Sequence, residues 1–296
     1  MSRRFLMYNL IRGGKKVKRY EILADSILNR LESEFHKDII HSSLIIIENP
    51  SIKTRFSNFA ANIRELTREI LQMLAPDDEV MSCHWYTIET KENERNVTRV
   101  QRMIYALKGG LSDDFITQEL NIDFDIQVNT LNKMFRQLNK YTHINEKVYY
   151  LGDRDGFEMV ENTLLALDEF LQKMNEVRTL IIHKLEEILF LQVSEALTND
   201  VIQEVDILAT HYWVESSSLN RIVVSKITSK FLFIKAKGSL DVEHQYGSDS
   251  DFDRGDGVRF ESSYPFDVSL KIKTSNPLNI SIEPSDILVD NSSFYE

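Results

Sequence analysis

Residues 231–246 read FLFIKAKGSLDVEHQY, with apolar and polar side chains alternating along the segment. A period of two is that of a β-strand, in which successive side chains leave opposite faces and only one face is buried. The same alternation returns in YPFDVSLKIK, residues 264–273, and in LNISIE, residues 278–283. Turn-rich stretches, GSDSDFDRGDG and TSNP, separate the three runs. Short connections between half-buried strands imply an antiparallel sheet.

Upstream of residue 200 the period is helical. From about Val17 to Glu48, Ile27, Leu28, Leu31, Phe35 and Ile39 recur at helical spacing until Asn49-Pro50 stops them, so the spacing predicts one helix there. Phe56, Phe59, Ile63, Leu66, Ile70 and Leu74 mark a second, ended by Ala75-Pro76-Asp77-Asp78. The polar stretch 87–98 reads as a loop. Helices are then expected near 99–107, at 112–120 after the Gly109-Gly110 break, at 126–141, and as one long amphipathic span over 158–197. Ser112 followed by Asp113 and Asp114 suits a helix start, because a hydroxyl and early acids satisfy exposed amides. The expected architecture is α+β: a helical domain of five to six helices over residues 1–200, followed by a small antiparallel β domain over 201–296.

At 296 residues and 42% hydrophobic content the chain can bury a sizeable core in two domains. No window approaches the roughly 20 apolar residues of a membrane span. The basic, short-lived apolar start lacks the pattern of a secretory leader, and the one cysteine, Cys83, has no intrachain partner. A cytoplasmic protein with no membrane partner is expected.

A net charge of −11 excludes a general nucleic-acid coat, yet the charge is unevenly spread. Residues 1–20 hold Arg3, Arg4, Arg12, Lys15, Lys16, Lys18 and Arg19 and no acid, whereas 239–296 holds twelve acids against four bases. The basic end suits phosphate contact through Arg3, Arg4, Lys15, Lys16, Lys18 and Arg19; equally, it suits a solvated tail or docking on an acidic neighbour. On the predicted second helix Arg64 and Arg68 stand beside Glu65 and Glu69, either as phosphate ligands or as surface ion pairs.

FRQLNKYTHIN, residues 135–145, carries the most specific chemistry. In a helix Arg136 and His143 fall within about 20° of each other around the axis, with Asn139 between them. An arginine to hold a phosphate, an imidazole to move a proton near neutral pH and an amide to orient substrate are what metal-independent RNA cleavage needs. The R-x(4–6)-H spacing resembles that of the all-helical HEPN ribonucleases. The same spacing occurs at Arg30/His36 and Arg178/His183, where the two side chains would diverge by about 120–140° on a continuous helix. A competing reading takes residues 111–151 as a helix-turn-helix with a hairpin wing at VYYLGDRDGF. Asn129, Asn132, Lys133, Arg136 and Gln137 would face nucleic acid, and Asp123 and Asp125 would oppose it.

Asp249, Asp251, Asp253 and Asp256 raise a metal site, but Arg254 replaces the glycine and Phe260 the glutamate of a calcium loop. Serine and glycine there predict a mobile hairpin loop. Cys83 and His84 have no second cluster to complete a zinc site. No cofactor is expected.

RFSNFAANIRELTREILQMLAPDDEV, CHWY, ALKGGLSDDF and LNKYTH resemble the predicted PIWI-associated nucleases of bacterial defence loci. GSDSDFDRGDG followed by SYPFDVSL resembles the β domain at the C-terminus of the same proteins. The resemblance covers roughly residues 45–145 and 230–296, with Arg55, Arg64, Glu65, Arg68, Trp85, Gly109, Gly110, Asn139 and His143 as matching positions. It implies a defence role against phages or plasmids and another defence protein as partner. Together the readings point to a ribonuclease acting on RNA rather than DNA, with Arg136, Asn139 and His143 catalytic. HEPN enzymes usually complete their site across a dimer, so a homodimer is expected. The alternative is a non-enzymatic binding module or adaptor subunit.

Overall fold

The computed structural model describes residues 11, 12, 15, 16, 18–88 and 97–295. The expected contacts of Arg3 and Arg4 lie outside the described residues. Two short strands, β1 (Ile11–Arg12) and β2 (Lys15–Lys16), pair antiparallel. Then come α1 (Arg19–Leu28), α2 (Glu34–Glu48), α3 (Arg55–Leu74), α4 (Asp77–Met81), α5 (Arg99–Lys108), α6 (Asp125–Thr142), α7 (Glu146–Tyr149), α8 (Asp153–Asn199) and α9 (Gln203–Asp206). A four-stranded sheet follows, with β3 (His211–Ile227), β4 (Phe231–Tyr246), β5 (Val258–Lys273) and β6 (Ile287–Val289) in that order, all antiparallel. A short helix, α10 (Asp249–Asp253), stands between β4 and β5. The fold is α+β, as its two sequence periods require.

The chain forms two compact units. The first comprises residues 1–77, 90–107 and 123–175. Its centre is α3, whose apolar face (Phe56, Phe59, Ile63, Leu66, Ile70) is buried and which packs on α2 and on α6. From α6, Val128, Leu131, Met134, Phe135 and Leu138 point inward. With those stripes committed to the core, most polar residues of α3 and α6 face outward, Arg55, Ser57 and Thr67 being the buried exceptions on α3.

Two expectations fail here. The single helix predicted over 17–48 is broken between α1 and α2, where Arg30 turns back to donate to Ser26 O at 2.5 Å and reaches Asp168 of α8 at 2.9 Å. The hairpin wing is helical instead. Asn145 Oδ1 accepts from Val148 N at 3.1 Å and caps α7, and Asp153 and Asp155 place negative charge in the first turn of α8. Gly156 serves packing rather than a turn: a Cβ there would lie 2.2 Å from the Phe56 ring.

The second unit comprises residues 78–89, 108–122 and 176–296. Its core includes the inward faces of β4 (Leu232, Ile234, Ala236, Leu240, Val242) and β5 (Tyr264, Phe266, Val268, Leu270, Ile272). The segment 112–120 closes as a π turn over Phe115–Glu119. LNISIE keeps its alternating burial at Ile280 and Ile282 but joins no ladder, and the fourth strand is β6 instead. The edge strand β3 was not foreshadowed by alternation; its register against β4 shifts at Val214/Ser216, Leu219/Arg221 and Val224/Lys226. The acidic segment is not an open loop. Ser248 donates to Asp251 Oδ2 at 2.7 Å, Arg254 pairs with Asp251 at 2.6 Å, and Gln245 donates to Asp249 Oδ1 at 3.0 Å, which winds the acids into α10. The Ser248 hydroxyl, foremost, holds the Asp251 carboxyl below its ordinary range.

Candidate nucleic-acid site

Arg136, Asn139 and His143 are all exposed on or just beyond α6. The helix ends at Thr142, so His143 is its C-cap, with extended backbone (φ −92°, ψ 106°). The helical spacing that places 136 and 143 on one side therefore runs out at His143 itself. Its carbonyl accepts from Asn145 Nδ2 at 3.3 Å, which holds the chain as it leaves the helix. Asn139 does not stand alone: its Oδ1 accepts from Arg64 Nη1 of α3 at 3.3 Å. That leaves the Asn139 amide nitrogen as an outward donor.

The residue that sequence reasoning missed is Arg99. From the first turn of α5 it lays its guanidinium over the ring of Phe135, 4.0 Å from the centroid, a cation–π contact with an inward residue of α6. Burial, and then the like charges of Arg64 and Arg136, push the Arg99 guanidinium below its ordinary value. Three helices thus bring Arg64, Arg99 and Arg136 together. Arg102, one turn further along α5, bonds the Ala75 carbonyl at the end of α3 and the Asp77 carboxylate, which fixes α5 against that helix terminus. No local motif marks Arg99; its tertiary contact with Phe135 of α6 brings it to the others.

Acid partners are unequally shared. Glu65 accepts from Arg64 Nη2 at 2.7 Å and from Arg68 Nε at 2.8 Å, while Glu69 accepts from Arg68 Nη2 at 2.7 Å. Hydrogen bonds from Arg68 and then Arg64 hold the Glu65 carboxyl below its ordinary range. Among the described residues Arg99 and Arg136 have no carboxylate partner. Four arginines against two glutamates leave two positive charges, and exposed like charges in excess of their acid partners attract an anion. The guanidinium forks present several N–H groups in the geometry that a phosphate accepts.

Two of the N-terminal basic residues have acidic neighbours. Lys18 pairs with Glu48 at 2.6 Å, and Arg19 lies 3.9 Å from Glu161. Nothing is described of the Lys15 and Lys16 side chains. Of the two other R-x-H pairs, Arg30 is spent on Asp168 with His36 buried, and His183 stands 3.8 Å from Glu186.

The remaining family-like positions sit in contacts within each unit. Arg55 is buried, stacks on Phe56 and pairs with Asp153. In the second unit, Trp85 Nε1 donates to Gly109 O at 2.8 Å, Gly110 N donates to Thr228 O at 2.9 Å, and Ser229 N donates to Glu79 Oε2 at 2.8 Å. A Cβ on Gly110 would sit 1.8 Å from Ser229 O, so the backbone passes where no side chain fits. Lys108, only 1% exposed, lies over the Trp85 ring and pairs with Asp113. Burial pushes the Cys83 thiol up to about 12, which leaves it an inert core group. Among the described residues no three His, Cys, Asp or Glu side chains form a metal-binding group, and no helix is long and apolar enough to cross a membrane.

Two family models match the chain, both described as predicted pPIWI-associating nuclease: one over residues 28–167, the other over residues 174–295. No curated protein and no solved structure matches it.

Proposed function

Since the chain belongs to the predicted pPIWI-associating nucleases, whose description implies a nucleic-acid substrate, we propose that it cleaves RNA on the outward face of α3, α5 and α6. The observation that carries this reading is the convergence of Arg64, Arg99 and Arg136 beside Asn139, with excess positive charge. The proposed reaction is attack of a ribose 2′-hydroxyl on the adjacent phosphorus, which needs no metal. Arg136, with Arg64 and Arg99, binds the phosphate and offsets the charge that grows on its oxygens. His143 accepts the 2′-hydroxyl proton and can return one to the leaving 5′-oxygen. Asn139, its oxygen held by Arg64, orients the strand through its amide nitrogen.

A cytoplasmic defence effector, working as a homodimer or beside another defence protein, is the setting proposed for this chemistry. The competing adaptor reading loses the wing that a helix-turn-helix would have laid along the backbone. The test is cleavage of single-stranded RNA in chelator, comparing the wild-type chain with His143→Ala and Arg136→Ala. Loss of about 10²-fold or more in rate at His143→Ala, in the range of general acid–base catalysis, is expected. Unchanged cleavage in that variant overturns the assignment.

A further inference from the structure

A groove lined by Phe35, Asp38, Ile39 and Ser42 of α2 and by Ala61, Asn62 and Glu65 of α3 opens on the first unit. Its volume, about 320 Å³, is at the small end of ligand-sized sites, about 300–1,000 Å³. Phe35 is 64% exposed although it stands on the flank of a well-packed helix pair. An aromatic ring left in water beside a concave apolar wall is the kind of surface that binding covers.

Two features say what covers it. First, the groove is continuous with the arginine set: Glu65 forms one wall, and the same carboxylate accepts from Arg64 at 2.7 Å, which in turn donates to Asn139. An occupant of the groove thus lies beside groups that hold phosphate. Second, the polar groups suit a heterocycle edge. The exposed Asp38 carboxylate has no hydrogen-bond or ion-pair partner among the described residues, and an ionised carboxylate only accepts. Asn62 already donates to Ser43 Oγ at 3.2 Å, so its amide is held in place. An apolar floor, one stacking ring, a fixed amide and a spare acceptor describe a site for a flat, amino-bearing ring on an anionic chain.

We propose that this groove is a nucleobase pocket, in which Phe35 stacks on an unpaired base of the strand whose phosphates meet Arg64, Arg99 and Arg136. The proposal rests on the nucleic-acid reading above and adds to it a substrate class. A base inside a duplex has both faces covered by its neighbours and cannot enter, so the site selects single-stranded or flipped-out nucleotides. Asp38 favours bases with an exocyclic amine, adenine, cytosine or guanine, over uracil.

Binding by the full-length chain of a short fluorescein-labelled 2′-O-methyl oligoadenylate, which lacks the attacking hydroxyl, isolates recognition from cleavage. Phe35→Ala is expected to weaken binding roughly tenfold, as loss of one stacked base does, with little change in salt dependence, while Phe35→Trp restores it. On an abasic strand of the same length Phe35→Ala should change nothing. If it weakens the abasic strand equally, or instead alters the light-scattering mass of the protein, the groove is not a base pocket. If Phe35→Ala is silent while Arg99→Ala weakens binding, the pocket is refuted and the arginine site stands. If Arg99→Ala is also silent, the nucleic-acid reading itself falls.

Discussion

The arginine face of the first unit and the Gly109-Gly110 passage of the second solve opposite physical problems. Around Gly110 polar groups meet partners in close succession: Trp85 Nε1 donates to Gly109 O, Gly110 N to Thr228 O, Ser229 N to Glu79 Oε2, and Lys108 pairs with Asp113. Around Arg99 and Arg136 charges of one sign crowd together in the open with too few acids to match. A saturated buried network holds a chain in place. A crowded exposed one spends stability on something it has yet to meet. Polar groups therefore divide by how completely their neighbours satisfy them, and the open set is the one proposed to meet substrate.

The sharpest break in that comparison comes from Gly110→Ala. With a Cβ forced to within 1.8 Å of a backbone oxygen that no side chain can swing away, a loss of roughly 3 kcal/mol or more is expected, read as a fall in thermal midpoint. A variant that melts normally would mean the passage is not tight. A smaller effect is expected at His244, whose fully buried ring pairs with Tyr264 OH at 2.8 Å while its Nδ1 has no partner among the described residues. Burial lowers its pKa in the native state, so the unfolded chain binds the proton more readily. Stability from this group is full above the ordinary histidine value of about 6.5 and is lost as pH falls from there toward the native value. Melting across that range should fall less steeply in His244→Gln than in the wild type. The smallest change in stability belongs to Arg136→Gln. Removing one like charge should leave the stability unchanged or raise it by roughly a few tenths of a kcal/mol, while the slope of log affinity for RNA against log salt drops by about one. A clear loss of stability there would place Arg136 with the structural group instead.

Much of the architecture could be read from residue periods, and the failures share a cause. FLFIKAKGSLDVEHQY announced β4 because one face of a central strand is buried throughout. β3 gave no such signal: its alternation of exposed and half-buried side chains restarts at each register shift, so no run of period two exceeds about five residues. LNISIE shows the converse, since alternating burial without a ladder reports which side chains are covered and not which amides are paired. The break between α1 and α2 depends on a contact from Arg30 to Asp168, far along the chain, which no local window holds. At the candidate site, Arg136 and Asn139 were picked out by their spacing, and both are exposed. Arg99 was not, because its partners stand on α3 and α6 and only packing assembles them. Phe35 was counted among the core residues of its helix, since an apolar residue at helical spacing carries no mark of being left outside.

The interrupted register of β3 has a consequence beyond the fold. A long outer strand with free amides along one side would template the addition of another chain, and then another. Here no paired stretch runs beyond four residues before a shift intervenes. A would-be neighbour finds its ladder thrown out of step at each one, and the sheet ends at its own boundary instead of seeding a fibre.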